Sequence, residues 1–144
     1  MKEKKVAERR DSQKSGLSGE LFVAAELLKR EMQVSLTLGN AKSVDLLAYS
    51  EKNTEKVYKI QVKTLRKSNC FPLNIEKVEH DHIYVFVLLN KPNEVVEYFI
   101  LSGQEIVENE KNLYCGKGTD YCAAVKIGPL KKHYKDRWDL FGLA

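Results

Sequence analysis

Two pairs of short β-type runs, each pair joined by a polar loop, constrain the fold of this sequence most. EKNTE separates the runs SVDLLAY and VYKIQVKT, and NKPNE separates the runs IYVFVLL and VVEYFIL. Runs rich in β-branched and aromatic residues on either side of a short polar loop are typical of β-hairpins. We therefore predict two successive hairpins, over residues 43–64 and 83–101.

An amphipathic helix is predicted before the first hairpin, over residues 17–32. Its apolar residues recur at helical spacing, so we expect this stripe to pack on the sheet. Ser15 or Ser18 could cap the start of the helix. The residues of the stripe are Leu17, Leu21, Ala24, Ala25, Leu28 and Met32.

The remaining elements are predicted from shorter patterns. QVSLTL at 33–38 is typical of a strand and is followed by a turn at Gly39 and Asn40. Further along the chain we expect a helix over 103–112, a strand at YCAAVKI (121–127) and a terminal helix at HYKDRWDLF. Together these elements predict an α/β (α+β) fold, in which an N-terminal and a C-terminal helix flank a mixed β-sheet built from the two hairpins.

The length and composition indicate one domain. The chain has 144 residues, of which 43% are hydrophobic, enough to bury a core without disulfides or metal. Residues 1–14 are dense in charge and predict an arm, either frayed or a solvated helical turn, so the domain should span 15–144. Cys70, Cys115 and Cys122 form an odd set without metal-ligand spacing, and we expect them to be reduced.

Charge and hydropathy restrict the partners and the location. Lys and Arg total 24 against 20 for Asp and Glu, a net charge of +4, which favours an anionic partner weakly. We expect no membrane span, because no apolar run is long enough, and the N-terminus lacks the apolar segment of a signal peptide. These features predict a cytoplasmic protein.

Folding the first hairpin about Asn53 predicts its register. The expected pairs are Tyr49 with Val57, Leu47 with Lys59, Asp45 with Gln61, and Ser43 with Lys63. Because side chains alternate along a strand, Asp45, Gln61 and Lys63 would share one face of the sheet. The opposite face would be apolar and carry Tyr58, Ile60 and Val62.

Asp45 interrupts an apolar strand, and a carboxylate there is costly to bury unless it is paired or binds a cation. Mg²⁺ prefers oxygen ligands, which Asp45, the side-chain carbonyl of Gln61 and a backbone carbonyl would supply. Lys63 would then position the attacking water or stabilise negative charge on a phosphate. Glu20, at the edge of the helical stripe, could reach the same ion. The pattern thus predicts a metal-dependent phosphodiesterase.

These residues resemble the PD-(D/E)xK nuclease superfamily, which has the restriction-endonuclease-like fold. The resemblance rests on Gly19-Glu20 opening a helix, Asp45, a hairpin turn, and the strand Ile60-Gln61-Val62-Lys63-Thr64. The variant with Gln in the QxK strand is similar to intron-encoded homing endonucleases of that fold and to small bacterial relatives. Similarity extends over roughly residues 16–143 and includes the second hairpin and Arg137-Trp138.

The resemblance implies a metal-dependent DNA endonuclease. Asp45, Gln61 and Glu20 would bind Mg²⁺ or Mn²⁺, and Lys63 would be catalytic with the other three in support. Arg66, Lys67 and Lys59 would contact the nucleic acid. DNA is the implied partner, and a homodimer would supply two active sites for cutting both strands of a duplex. Gln61 removes one negative charge from the motif, which weakens metal binding.

Other interpretations stay open at this point. One is a catalytically inactive nuclease-fold domain that binds nucleic acid or a protein partner, and another is a toxin or defence component that acts on RNA. Asp45 could be tied to a lysine or a turn amide, Lys63 could be as solvated as Lys59, and Glu20 could be a first-turn acid favoured by the helix dipole.

Three further features have ordinary structural explanations. Glu79-His80-Asp81-His82 is more typical of a polar loop than of a metal site. Trp138 and Phe141 are expected to anchor the core. Basic residues near the C-terminus are typical of a solvated face that could also contact phosphates; they are Lys126, Lys131, Lys132, Lys135 and Arg137.

Overall fold

The computed structural model describes residues 2–37, 43–114 and 123–143. Its helices are α1 (Lys2–Lys29), α2 (Gly103–Glu108), α3 (Glu110–Leu113) and α4 (Ile127–His133), with 3-10 helices at Ile75–Lys77 and Trp138–Phe141. Its strands are β1 (Met32–Leu36), β2 (Leu46–Ser50), β3 (Asn53–Leu65), β4 (Phe71–Pro72), β5 (His82–Leu88), β6 (Glu97–Ser102) and β7 (Ala124–Val125).

A five-stranded mixed sheet forms the centre of the fold, in the order β1-β2-β3-β5-β6. Four of these strands form the two predicted hairpins, β2 with β3 and β5 with β6, and both hairpins are antiparallel. The hairpins join side by side through β3 and β5, which run parallel. The α/β (α+β) fold class with a mixed sheet and flanking helices is therefore confirmed.

The register of the first hairpin agrees with the prediction where β2 and β3 pair. Leu47 lies opposite Lys59 and Ala48 lies opposite Tyr58. A register shift between Ala48 and Ser50 then brings Ser50 opposite Asn53, so the connecting turn is tighter than the five-residue loop suggested. The long strand β3 continues past the end of β2 and pairs with β5 as far as Leu65 and Leu88.

Two apolar cores lie on opposite faces of this sheet. One is formed between the sheet, α1 and the C-terminal 3-10 helix and includes Val23, Leu27, Ile60, Val62, Val85, Ile100, Trp138 and Phe141. The other lies under β4, α2, α3 and α4 and includes Phe71, Tyr84, Phe86, Phe99, Ile106, Leu113 and Leu130. As predicted, Trp138 and Phe141 are buried anchors, and Trp138 stacks against Phe141 and meets Tyr98 edge to face.

The apolar stripe predicted to pack on the sheet was wrong for most of its members. Leu17, Leu21 and Leu28 remain 51%, 47% and 54% exposed, and the buried face of α1 instead carries Val23 and Leu27. One cause is the close approach of α1 to β3 at Gly19, where the contact leaves no room for a larger side chain. A Cβ atom on Gly19 would lie 1.8 Å from Thr64 Oγ1.

Helix α1 is also longer than the 17–32 segment predicted. It begins at Lys2, so the predicted charged arm is helical from residue 2 and the caps expected at Ser15 or Ser18 are absent. Gly19 and Glu20 therefore lie well inside the helix instead of opening it. The helix ends at Lys29, and Met32 begins β1.

The C-terminal third differs from the prediction in detail. The predicted helix over 103–112 is interrupted at Asn109 into α2 and α3. Of the strand expected at 121–127, residues 121 and 122 lie outside the described residues, and within 123–127 the strand is β7, which pairs with β4. The single terminal helix was wrong, because the chain between α4 and Trp138 pairs with the edge of β6. Ile100 N donates to Tyr134 O at 2.8 Å, and Asp136 N donates to Tyr98 O at 2.9 Å.

Some sequence predictions fall outside the described residues. These concern the turn at Gly39 and Asn40 and the thiols of Cys115 and Cys122. In the described part of the chain, no helix is both long and apolar enough to cross a membrane.

Candidate active site

Asp45 lies where β2 and β3 separate. Its backbone N donates to Ile60 O at 2.9 Å, and its Oδ2 accepts a hydrogen bond of 2.8 Å from Val62 N. Strand β2 pairs with β3 only as far as Ile60, so the next part of the β3 edge lacks a β2 partner. The Asp45 carboxylate satisfies the first free amide of that edge. This bond fixes one carboxylate oxygen on β3 and turns the side chain toward the strand that carries Gln61 and Lys63.

Glu20 approaches Asp45 from helix α1. The contact between Gly19 and Thr64 holds this part of the helix against β3, and Glu20 is the next residue. Burial, followed by the negative charge of Asp45, raises the pKa of the Glu20 carboxyl. Within residues 2–37, 43–114 and 123–143 neither carboxylate forms an ion pair. The two acids therefore carry negative charge that no ion pair of the described residues balances.

Gln61 is buried, with 6% of its surface exposed, and its amide group is held from the side of β5. Its Nε2 donates to Tyr84 Oη and to His82 Nδ1, both at 2.9 Å. Tyr84 Oη also accepts a hydrogen bond of 2.9 Å from Glu79 N, which fixes the hydroxyl in turn. Because both amide hydrogens are used, the carbonyl Oε1 is the end of Gln61 left for another partner. It accepts no hydrogen bond within the described residues.

Lys63 follows Gln61 two residues along β3. The register pairs Gln61 with Tyr84 and Lys63 with Phe86, so Gln61 and Lys63 share the face of the sheet opposite α1. Lys63 is half-buried, and in the described part of the chain its amine makes no ion pair. It therefore remains available to a negatively charged ligand.

The model of the PD-(D/E)XK endonuclease family matches residues 10–105, two thirds of the chain and all four of the residues above. The chain belongs to the PD-(D/E)XK endonuclease family. Among solved structures, the Holliday junction resolvase Hjc of the archaeon Archaeoglobus fulgidus is similar, with 17% identity, 80% of this chain and 90% of that chain covered, and a TM-score of 0.48. No curated protein matches the chain significantly.

The site of this PD-(D/E)XK chain is suited to a divalent cation, although its donor set differs from three acids. The described residues contain no cluster of three His, Cys, Asp or Glu side chains. They do bring together two carboxylates and leave the Gln61 carbonyl oxygen open. Carboxylate and amide oxygens are ligands that Mg²⁺ and Mn²⁺ accept, and a cation would offset both the burial and the Asp45 charge that raise the pKa of Glu20.

The three residues predicted to contact nucleic acid lie in different surroundings. Arg66 and Lys67 are exposed and directly follow the end of β3, the strand that carries Lys63. Lys59 lies at the other end of the site, where its Nζ is 3.1 Å from Asp81 Oδ2. That hydrogen bond contributes to the lowered pKa of Asp81. Lys59 is thus partly neutralised, whereas Arg66 and Lys67 form no ion pair within the described residues.

Two residues of this PD-(D/E)XK site were missed by sequence reasoning. His82 and Tyr84 had been assigned to a polar loop and to the interior of a strand, yet both bind the Gln61 amide. Hairpin patterns reveal only which strands pair with their sequence neighbours. The signal needed here was the parallel pairing of IQVK with HIYVF, which would have placed Gln61 opposite Tyr84.

Proposed function

We propose that this protein is a metal-dependent endonuclease that hydrolyses DNA phosphodiester bonds. The observation that carries the proposal is the pair of acids, Glu20 and Asp45: burial and then the charge of Asp45 raise the pKa of the Glu20 carboxyl, and within the described residues neither acid forms an ion pair. Buried or half-buried carboxylates are costly when left unpaired, and binding a cation is the usual resolution. The endonuclease family match includes both residues.

Glu20, Asp45 and the Gln61 carbonyl oxygen would hold the ion, Mg²⁺ or Mn²⁺. When bound, such an ion polarises the phosphate and lowers the pKa of a water molecule. Asp45 keeps its orientation through the bond from Val62 N, and Gln61 keeps its orientation through Tyr84 and His82. The binding groups are thus held in place before substrate arrives.

Lys63 would act on the substrate itself. Its ammonium group can donate hydrogen bonds to a phosphate oxygen and stabilise the negative charge that develops there, or it can position the attacking water. Arg66 and Lys67 continue from the same strand into solvent and would bind neighbouring phosphates of the DNA backbone. Such contacts fix the position of the DNA without selecting a base sequence.

One observation favours a second candidate, a catalytically inactive nuclease-fold domain that binds nucleic acid or a protein. Gln61 stands where an acid would complete a three-carboxylate site, and both hydrogens of its amide are already bonded within the protein. A neutral ligand lowers the affinity for a divalent cation. Retained binding of Mg²⁺ or Mn²⁺ would separate an active site of modest affinity from an inactive one.

Cleavage assays test the proposal directly. Supercoiled plasmid, branched DNA and single-stranded oligonucleotides would be incubated with Mg²⁺, Mn²⁺ or chelator. We expect metal-dependent cutting by the wild type, a loss of about a hundredfold or more in Lys63→Ala, and unchanged cutting in Lys52→Ala, which removes an exposed lysine from the β2–β3 turn.

Asp45→Asn tests metal binding separately from cleavage. Its amide oxygen can still accept the hydrogen bond from Val62 N, so only the negative charge is lost. This variant should lose Mn²⁺ binding in calorimetry, whereas Lys63→Ala should retain it. If clean wild-type protein binds Mn²⁺ but cuts none of the substrates, or if Lys63→Ala cuts as fast as wild type, the endonuclease proposal is wrong. Binding of DNA without metal binding or cutting would support the inactive domain.

A further inference from the structure

A cleft of about 610 Å³ lies between α3 and α4, outside residues 10–105 that the endonuclease family model matches. A cleft of this volume accommodates a small molecule or part of a larger one, and it is too large for a single ion alone. Its polar and aromatic lining consists of Asn109, Asn112, Gly128, Lys132, His133 and Tyr134.

The two walls of the cleft are fixed by the core beneath them. Leu113 of α3 and Leu130 of α4 are buried on the face of the sheet that also carries Gln61 and Lys63. Lys126 N donates to Leu113 O at 2.7 Å and joins the two walls at one end. Gly128 keeps the space between them open, since no atom lies within 4 Å of a Cβ placed there.

The α4 wall offers groups that bind an anion. Lys132 and His133 are exposed and form no ion pair within the described residues. By contrast, Lys135 lies 3.3 Å from a Glu97 oxygen and Arg137 lies 2.7 Å from a Glu105 oxygen. Among the described residues no Asp or Glu lines the cleft. A negatively charged group would therefore meet a lysine and a histidine without competition from a carboxylate.

The α3 wall offers amide groups with free hydrogen-bonding capacity. Asn109 Nδ2 donates to Glu105 O at 2.8 Å, and its Oδ1 accepts no hydrogen bond from the described residues. The Asn112 side chain is exposed and makes no hydrogen bond in the same part of the chain. Carboxamides carry a donor and an acceptor side by side, which matches the edge of a nucleobase. Tyr134 adds an aromatic ring, the kind of surface on which bases stack.

We propose that this cleft binds a nucleotide, with its phosphate beside Lys132 and His133 and its base beside Asn109 and Asn112. An inorganic anion would use the α4 wall alone, and an uncharged ligand would use the α3 wall alone. A nucleotide carries its charge at one end and its hydrogen-bonding edge at the other, so it uses both walls.

The nucleotide has two possible sources, a DNA strand or the free molecule. The chain at Tyr134 runs along the edge of β6, where Ile100 N donates to Tyr134 O at 2.8 Å. That position lies three strand spacings from β3, about 14 Å across the sheet. About four nucleotides cover this distance at 3.4 Å each. A nucleotide of the substrate could thus occupy the cleft while Lys63 contacts the scissile phosphate, and this source rests on the proposed function. Binding of a free nucleotide does not.

Titration of the full chain in chelator tests the proposal, because no cleavage takes place there. The probes are dAMP, its base-free form deoxyribose phosphate, and a single-stranded pentamer of deoxyadenylate. NMR shifts of the asparagine side-chain amides report both the affinity and the place of binding.

Two variants remove one wall each, and each has a matched control. Asn112→Leu removes the amide at nearly constant size, and Lys132→Gln removes the charge. Asn93→Leu changes an exposed asparagine of the β5–β6 connection, and Lys131→Gln changes the neighbouring exposed lysine, which does not line the cleft. Thermal unfolding should be the same in all four, since none of the four side chains makes a hydrogen bond or an ion pair to the described residues.

We expect Asn112→Leu and Lys132→Gln each to weaken nucleotide binding by about three- to tenfold, and the controls to change it by less than about twofold. Binding of dAMP that is tighter than that of deoxyribose phosphate assigns the cleft to free nucleotides. Binding of the pentamer alone, with the same losses in the two cleft variants, assigns it to a DNA strand.

Three outcomes would overturn the proposal. One is a wild type that binds neither dAMP nor the pentamer. Another is equal affinity for dAMP and deoxyribose phosphate, which would reduce the cleft to an anion site. The third is an equal loss of affinity in each cleft variant and its control. None of these results bears on metal-dependent cutting, so the endonuclease proposal would stand or fail separately.

Discussion

The side-chain nitrogen of Gln61 lies 2.9 Å from the hydroxyl oxygen of Tyr84, across the parallel strands β3 and β5. The same nitrogen donates to His82 Nδ1. These two bonds determine which end of the amide is left for a ligand. The orientation of the one neutral group at the site therefore depends on β5, which contributes no acid to it.

Tyr84→Phe should weaken metal binding without creating a cavity in the core. The substitution keeps the ring and removes the hydroxyl that accepts from Gln61 Nε2 and Glu79 N. We expect a loss of about 1–3 kcal/mol in the free energy of unfolding and a lower affinity for Mn²⁺, since the Gln61 amide can then rotate. Thermal unfolding and calorimetry measure the two effects.

Tyr98→Phe is the control, because it removes the same atom from the opposite face of the sheet. This variant should leave the Mn²⁺ affinity unchanged. Equal losses of Mn²⁺ affinity in both variants would contradict the role of Tyr84.

Gln61→Glu should increase the affinity for Mg²⁺ and Mn²⁺ while reducing stability in chelator. The variant adds a third carboxylate but removes the nitrogen that donates to Tyr84 and His82. A buried polar network that loses a donor costs about 1–3 kcal/mol. Calorimetric titration with Mn²⁺ and unfolding in chelator would be compared with the wild type. Affinity equal to or below that of the wild type would argue that Gln61 does not face the ion.

Glu20→Gln should stabilise the metal-free protein near neutral pH. Because the Glu20 pKa is raised in the folded state, its ionisation at pH 7 destabilises the fold relative to the unfolded chain. The variant should unfold at a higher temperature in chelator, and the difference should shrink as the pH falls toward the ordinary value of 4.5. Glu76→Gln, at an exposed site, should show neither effect.

Divalent metal should reverse this ranking. Mg²⁺ is expected to raise the unfolding temperature of the wild type more than that of Glu20→Gln, since in the proposed site the charge that destabilises the free protein would bind the ion. Unfolding curves at pH 7 with Mg²⁺ and with chelator provide the comparison. A Mg²⁺ effect of the same size in both proteins would remove Glu20 from the metal site.

Two glycines of α1 should respond oppositely to alanine. At Gly19 the new Cβ would lie 1.8 Å from Thr64 Oγ1, so the helix must shift; overpacking of this kind costs about 1–3 kcal/mol. No atom lies within 4 Å of a Cβ on Gly16, and Gly16→Ala should stabilise the helix by up to about 1 kcal/mol. Chemical unfolding of both variants checks the signs. Gly19→Ala should also reduce metal affinity, because Glu20 moves with the helix.

The sequence was sufficient for the local part of the fold and insufficient for the non-local part. The pairing of Leu47 with Lys59 followed from the position of one turn, since a hairpin register is fixed by its loop. The face of α1 that packs on the sheet could not be predicted from a local pattern of this kind. Its row of leucines gave the stronger periodic signal, but the close contact at Gly19 and Thr64 selected the face with the smaller residues.

The same distinction applies to the site. Glu20, Asp45, Gln61 and Lys63 were proposed from residue type, spacing and family resemblance. In the structure burial and then the charge of Asp45 raise the pKa of Glu20, so these two acids lie near each other. The bonds of Gln61 to Tyr84 and His82 depend on which strand lies beside β3. That neighbour is separated from β3 by a crossover, and no local pattern specifies it.

The parallel pairing of β3 with β5 has a consequence for how the chain folds. The β2–β3 hairpin closes over a short turn, so the bond from Val62 N to Asp45 can form while the rest of the chain is still open. The Gln61 amide acquires its partners only after the crossover closes, which is a slower event because it joins distant segments. We expect the geometry of the proposed site to appear in the last stage of folding, so that incompletely folded chains, including those emerging from the ribosome, carry the motif without the arrangement proposed to bind metal.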